Sequence, residues 1–388
     1  MSGVPQIRLE FFGSEALTRA LSDTGAPHLA RSLIADHRAF GNEALRRAID
    51  DKTRHLLQAL EPQLAPERVP WSGARADVLA LDLALVEQAG QPFGLAWVEI
   101  QAFTSMLPTF HTLHLAQRRL HDPGAHWLPH DALPRGASGW VGHMRPWVAP
   151  HAATVLVEDR PRERMNWPDL DAARHWWQVD VHDWRELLPL DGYLWNPLTA
   201  RRYTHVWNRL ILPDLPVPER HRATATLRAA DKLSWHSHPA WYEGIDKGSL
   251  ADLPLAPHEA CHWAENHPRP LEPAADDGRW VAKSVGGHSG SGLLLNPTAA
   301  ELSALPRPRQ WIVQNKFRQV PIGHHPGSGQ PLFGEIRCML GLQAGRRPWV
   351  MAWILRCSTD GIATMSGRRT TAGEGMTLLY FDRACMPA

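Results

Sequence analysis

Trp280-Val-Ala-Lys-Ser-Val-Gly-Gly-His-Ser-Gly-Ser-Gly-Leu-Leu-Leu295 is the stretch whose reading decides the fold. It opens as an apolar strand with Lys283 near its end. A loop of Gly286, Gly287, His288, Ser289, Gly290, Ser291 and Gly292 follows, and an apolar run from Leu293 to Leu295 closes it. Four glycines and two serines in that loop provide flexibility, close backbone approach, or both. A lysine beside free backbone N–H groups suits a phosphate cradle. An ordinary hairpin turn with a surface lysine fits the same residues. The Walker pattern is excluded, because there the lysine follows the loop and a helix comes next.

The chain has 388 residues, enough for two or three domains. Lys+Arg is 41 and Asp+Glu 40, a near-zero balance that argues against a nucleic-acid or polyanion binder. Four cysteines, Cys261, Cys338, Cys357 and Cys385, show no CxxC spacing, so neither a zinc knuckle nor a disulfide scaffold is indicated. A reducing compartment is the simpler expectation. No apolar run is long enough to span a bilayer, so a soluble cytoplasmic protein without membrane contact is expected.

Residues 14–60 read as helical, with Leu45, Ile49, Leu56, Leu57 and Leu60 at helical spacing and Pro62, Pro66 and Pro70 ending the pattern. Two strands joined by a turn are expected over 77–85 and 95–103. Asp82 interrupts the first, and Glu99 and Gln101 share one face of the second. Such hard oxygen donors suit Mg²⁺, or they line the solvated face of an amphipathic strand. His111 and His114 would share a face of a helix ending at Leu120, as a metal pair or as packing residues. His236 and His238 alternate in an extended segment without further ligands at a recognisable spacing.

Residues 152–211 read as a strand–helix–strand unit with a parallel sheet, lacking the GxGxxG of a dinucleotide fold. Asn208 and Arg209 stand near a strand end, where α/β proteins often place ligand contacts, or they cap or hydrogen-bond a neighbouring loop. Lys247 opens a short helix. Gln310–Phe317 is strand-like and ends in Gln314, Asn315 and Lys316, an edge that can meet a purine. Residues 333–340 and 349–357 form a hairpin in which Glu335 and Arg337 share a face and Arg356 ends the second strand. The 361–375 stretch has the composition of a mobile loop.

Taken together these pieces resemble an ATP-grasp domain. Lys247, Lys283 with its glycine loop, and the Gln314–Phe317 strand occur in that superfamily's order, followed by Arg337 and Arg356, which look like its phosphate-facing arginines. The metal carboxylates precede the lysines here, so the order looks circularly permuted, as in the glutathionylspermidine synthase-like synthetases. Val98-Glu-Ile-Gln-Ala-Phe-Thr-Ser105 resembles their metal-binding strand, with Gln101 where Asn is usual.

The resemblance implies an α/β chain (with α+β character) having an ATP-grasp fold and a small Rossmann-like pre-ATP-grasp unit. Residues 1–120 would supply a helical segment and the metal strands, 121–230 the α/β unit, and 231–388 the nucleotide-binding subdomains. It implies an ATP-dependent carboxylate–amine or peptide-bond-forming ligase working through an acyl phosphate. Mg²⁺ would sit on Asp82, Glu99 and Gln101. ATP would be held by Lys247, Lys283, Gly286, Gly287, His288, Ser289, Gly290, Gln314, Asn315 and Lys316, and Arg337, Arg356 and Lys283 would stabilise the transferring phosphoryl. The substrates would be small-molecule or peptide carboxylates and amines. Two rivals stand beside it: a catalytically degenerate ATP-binding protein with a scaffold or partner role, and a His-dependent metallohydrolase using His111, His114, His236 and His238.

Overall fold

The computed structural model describes residues 4–24, 29, 34–65, 71, 76–131, 139–256, 259–264, 280–286, 292–305, 307–343, 347–361 and 373–385. Val78–Val86 is buried along its whole length because its alternating side chains serve two different cores. Leu79, Leu81, Leu83 and Leu85 pack on one face with the helix Glu43–Leu60, while Val78 and Ala80 pack on the other with the helix Leu107–Leu120.

That strand lies inside a nine-stranded sheet of order Ile7–Phe11, His37–Gly41, Gly375–Asp382, Trp349–Ser358, Pro331–Gly341, Val78–Val86, Gly94–Gln101. Pro321–His324 and Trp127–Leu128 add at the sides. The pairing is antiparallel except between His37–Gly41 and Gly375–Asp382, which run parallel. Chain segments from both ends therefore interleave in one sheet.

The expected helical run over 14–60 is broken by the strand His37–Gly41. Among the described residues of this stretch helices occupy Ser14–Ser22 and Glu43–Leu60, the second begun by Asn42 accepting the backbone N–H of Leu45. Gly41 fits this crowded position because a Cβ there would stand 2.4 Å from the Phe381 ring. Of the 361–375 stretch expected as a loop, residues 362–372 lie outside the described residues, and the strand Gly375–Asp382, buried almost throughout inside the sheet, begins at its last residue.

The α/β unit is a four-stranded parallel sheet of order Ser234–His236, His205–Asn208, Thr154–Glu158, Asp180–Asp183. The helices Trp167–Trp177 and Val217–Ala229 make the crossovers. The strand expected to end near Asn208 and Arg209 is His205–Asn208, while Arg201–Tyr203 belongs to a separate three-stranded antiparallel sheet. The opening stretch folds as read up to its loop: Trp280–Ser284 pairs antiparallel with Leu293–Leu295, in a sheet completed by Trp311–Asn315 and Cys261–Trp263. No helix among the described residues is long and apolar enough to cross a membrane.

Candidate active site

A β-bulge sets up the site. Asp82 pairs with Glu99, but Leu83 pairs with Trp97, so Val98 is the extra residue. The bulge reverses the face across one step. Trp97 turns into the core, while Glu99 and Gln101 look into a cavity of about 1080 Å³. It also turns the carbonyls of Trp97 and Val98 toward the small antiparallel sheet. Lys283 Nζ donates to Val98 O at 2.8 Å and to Gln314 Oε1 at 2.7 Å, and Gln314 Nε2 donates to Trp97 O at 2.6 Å. Residues 185 positions apart in sequence thus meet at one point.

Lys247 opens a 3₁₀ turn capped by Asp246 and stands 3.7 Å from Glu99. Burial, partly offset by the Glu99 carboxylate, pushes the Lys283 ammonium down to about 8. Lys247, Lys283, Gln314, Asn315 and Lys316 all line the cavity, beside apolar surface from Val281, Leu293 and Leu295 that could face a base. The backbone of Gln314 and Asn315 is engaged within the sheet, with Asn315 N–H donating to Ala260 O at 3.0 Å. Beyond Asn315, Lys316 and Phe317 line the cavity wall. Gly286 is exposed at the start of the turn, and Gly287, His288, Ser289 and Gly290 lie outside the described residues. Gly292 closes the hairpin with φ 67°, and a Cβ there would be 2.6 Å from Ser284 Cβ.

Asp82 is placed differently from the expectation that it faces a metal. Both its oxygens are taken by guanidinium groups. Arg337 bonds it through Nε at 2.7 Å and Nη2 at 2.6 Å, and Arg356 through Nη2 at 2.6 Å. Asp82 is 1% exposed. Burial alone would raise its pKa, but the two arginines overcome this and hold it at about 2. Glu335, directly opposite Arg356 in the hairpin, contacts the same guanidinium. The arrangement is a buried ion cluster whose arginines, with Glu335, also line the cavity.

Mg²⁺ fits this donor set in part. Glu99 and Gln101 present oxygens to the cavity, and Mg²⁺ commonly needs only one or two protein ligands when phosphates supply the rest. Those two residues would hold it, whereas Asp82 would serve only after releasing its arginines.

The histidines give no metal centre. His114 Nδ1 is 3.0 Å from the Tyr380 hydroxyl, His236 Nδ1 is 2.6 Å from Asp77, and His238 caps a helix. His111 stacks on Trp140. Among the described residues no group of three or more His, Cys, Asp or Glu could hold a metal ion. The metallohydrolase expectation loses its basis: its histidines sit in packing and hydrogen-bond positions.

Of the far wall of the cavity, the sequence singles out Arg209 alone; Asn208 beside it turns to its own loop, its Nδ2 donating to Leu210 O at 3.2 Å. The wall is built from the carboxyl ends of the parallel strands, with Glu158, Arg209 and Asp214, and from the following turn with Glu163, Arg164 and Asn166. The signal available was the apolar strand ending in Glu158, since open parallel sheets bind ligands at that edge.

No protein-family model matches the sequence, and no curated protein matches it. Among solved structures, the chain is similar to the apo form of a glutathione synthetase-like effector from Globodera pallida. The TM-score is 0.56 at 10% identity, covering 95% of this chain and 96% of that chain. At that identity the likeness is one of fold alone, a mixed α/β fold like that of the effector.

Proposed function

We propose that the chain is an ATP-dependent carboxylate–amine ligase built on a circularly permuted ATP-grasp fold. The observation that carries this reading is the convergence of Lys283, Lys247 and Glu99 on the Val98 bulge, at the mouth of a cavity also lined by Arg337 and Arg356. The acid strands, early in the chain, lie beside the arginine hairpin, late in the chain, as a permuted order requires.

ATP, as co-substrate, supplies the phosphoryl group that converts a carboxylate into an acyl phosphate, and Mg²⁺ would neutralise its phosphates. Lys247 and Lys283 bind and orient phosphate oxygens. Arg337 and Arg356 face the charge that develops as the phosphoryl moves, and Glu99 and Gln101 would hold the metal. Gly292, with Val281 and Lys283, lines the cavity from the hairpin side.

The test is nucleotide binding by calorimetry, followed by hydroxylamine trapping of acyl phosphate across a broad carboxylate panel. Binding and trapping in the wild type, with both lost in Lys283→Ala and trapping lost in Glu99→Ala, is the expected result. Undiminished turnover in both variants would sink the assignment. A second reading, nucleotide binding without turnover, is favoured by one specific observation: Asp82, one of the two carboxylates expected to hold the metal, is closed off by two arginines. Tight ATP binding with no trapped hydroxamate would select it.

A further inference from the structure

We propose that the carboxyl edge of the parallel sheet is the acceptor site for a primary amine, bound as its ammonium, with Glu158 taking the proton as the amine reacts. This deepens the ligase reading and rests on it.

The two sides of the cavity differ in charge. Lys247, Lys283 and Lys316 stand on one side. On the other, the arginines are already matched within the protein. Arg209 Nη1 donates to Asp169 Oδ2 at 2.8 Å and its guanidinium lies 5.5 Å from the Phe103 ring, while Arg164 Nη2 donates to Asp159 Oδ2 at 2.7 Å. Neither Asp169 nor Asp159 lines the cavity. The carboxylates that do line this wall are Glu158, Glu163 and Asp214. With its arginines matched, the wall favours a cation, whereas the lysine side favours phosphates.

Glu158 is the central group. It ends the strand Thr154–Glu158, is 6% exposed, and reaches the cavity beside Asn166. Its Oε1 accepts the backbone N–H of Asp159 at 2.9 Å. The charged groups around it are Arg209 and Arg164. Burial outweighs both and lifts its carboxyl to about 6, a value suited to a base working near neutrality. Phe103 and Tyr242, packed edge to face at 5.4 Å, provide apolar wall for the carbon next to the nitrogen.

The step balances as follows. The bound ammonium gives one proton to the Glu158 carboxylate and becomes nucleophilic. A C–N bond forms at the acyl carbon, and the C–O bond to phosphate breaks with its electron pair leaving on phosphate. The second nitrogen proton departs with that phosphate, and Glu158 returns its proton to solvent.

The experiment compares the full chain with Glu158→Gln, which keeps the shape of the neutral acid. With MgATP and a carboxylate that gives hydroxamate, n-butylamine and hydroxylamine compete. The ratio of amide to hydroxamate is expected to fall at least ~10-fold in the variant, since general-base catalysis contributes about 10²–10⁴-fold. The acidic limb of the amide rate, near pH 6 in the wild type, should disappear. An unchanged ratio, or loss of both products in equal measure, would overturn the assignment. Binding of n-butylammonium, measured by calorimetry without ATP, is independent of turnover. It should weaken several-fold in the variant, and equal binding would overturn the site. A wild type that binds n-butylammonium through Glu158 yet traps no acyl phosphate with any acid would refute the ligase reading while leaving the cation site standing.

Discussion

Replacing Asp82 by Asn separates an arginine anchor from a metal ligand. In the structure the carboxylate is 1% exposed and accepts three bonds from Arg337 and Arg356. Asn keeps the size but removes the charge, so two largely buried guanidinium groups lose their counter-ion. Losing one partner of a buried ion pair typically costs about 3–5 kcal/mol. The two arginines hold the carboxyl at about 2, so the stabilisation is present above the unfolded-state value and lost as pH falls through about 2. Urea unfolding of Asp82→Asn should therefore show a loss of roughly 3 kcal/mol, somewhat reduced because the amide oxygen still accepts one bond. Nucleotide should then restore more stability to the variant than to the wild type, because phosphate replaces the missing anion without competing against Asp82. At a free concentration of 100 times Kd the linkage effect is about 2.7 kcal/mol, well above the scatter of such measurements. A variant within about 0.5 kcal/mol of wild type would refute the anchor. If ATP binding in that variant also ceased to depend on Mg²⁺, Asp82 would instead be acting as a metal ligand.

Other outcomes follow from the same geometry. Lys283 carries its charge below about 8, so nucleotide affinity measured by calorimetry should weaken as pH rises through that value. Lys283→Met should bind roughly 10- to 100-fold more weakly at neutral pH and lose that pH dependence, as expected for one charge-assisted bond. His111 is held neutral by burial, at about 4. Its folded pKa lies below the unfolded value of about 6.5, so protons favour the unfolded chain and stability is lost as pH falls between those limits, by up to roughly 3 kcal/mol from this residue. His111→Phe, which keeps the stacking on Trp140 and removes the unpaired ring nitrogen Nδ1, should flatten that acid loss in urea titrations followed by circular dichroism.

The lysine hairpin and the acid strands were legible because alternation and a glycine-rich break are local signals. Trp280–Ser284 pairs with Leu293–Leu295, and Asp82 pairs with Glu99, as the residues suggested. What was not legible depends on distant partners. The Val98 bulge leaves no mark in the alternation, yet it decides that Trp97 is core and Glu99 is not. Arg337 lies 255 residues from the carboxylate it neutralises, so Asp82 looked like an open metal ligand. The strand His37–Gly41 was taken into a helix because its neighbours carry helical spacing, while its own burial comes from packing against Gly375–Asp382. Glu158 is not singled out in the sequence, because its environment arises only when Arg209 and Arg164 fold around it.

The position of the cluster follows from where the large sheet loses its apolar cover. On the face that carries Asp82, the register places Ala80, Met339 and Ala352 in one row, all buried in the core shared with the helix Leu107–Leu120. One step along, the next row is Asp82, Arg337 and Ile354. A further step gives Ala84, Glu335, Arg356 and Met376. The change from apolar to charged therefore occurs between adjacent rows, where the helix no longer covers the sheet and the cavity begins. A guanidinium there must be paired, because burial without a counter-ion is costly. Asp82 is the acid that lets two arginines stand at the edge of an apolar core and still face the cavity. By the same physics, its neutralisation limits how well it can hold a metal. The two demands oppose each other at one carboxylate, and this is why the response of Asp82→Asn to nucleotide, rather than its stability alone, decides what the residue does.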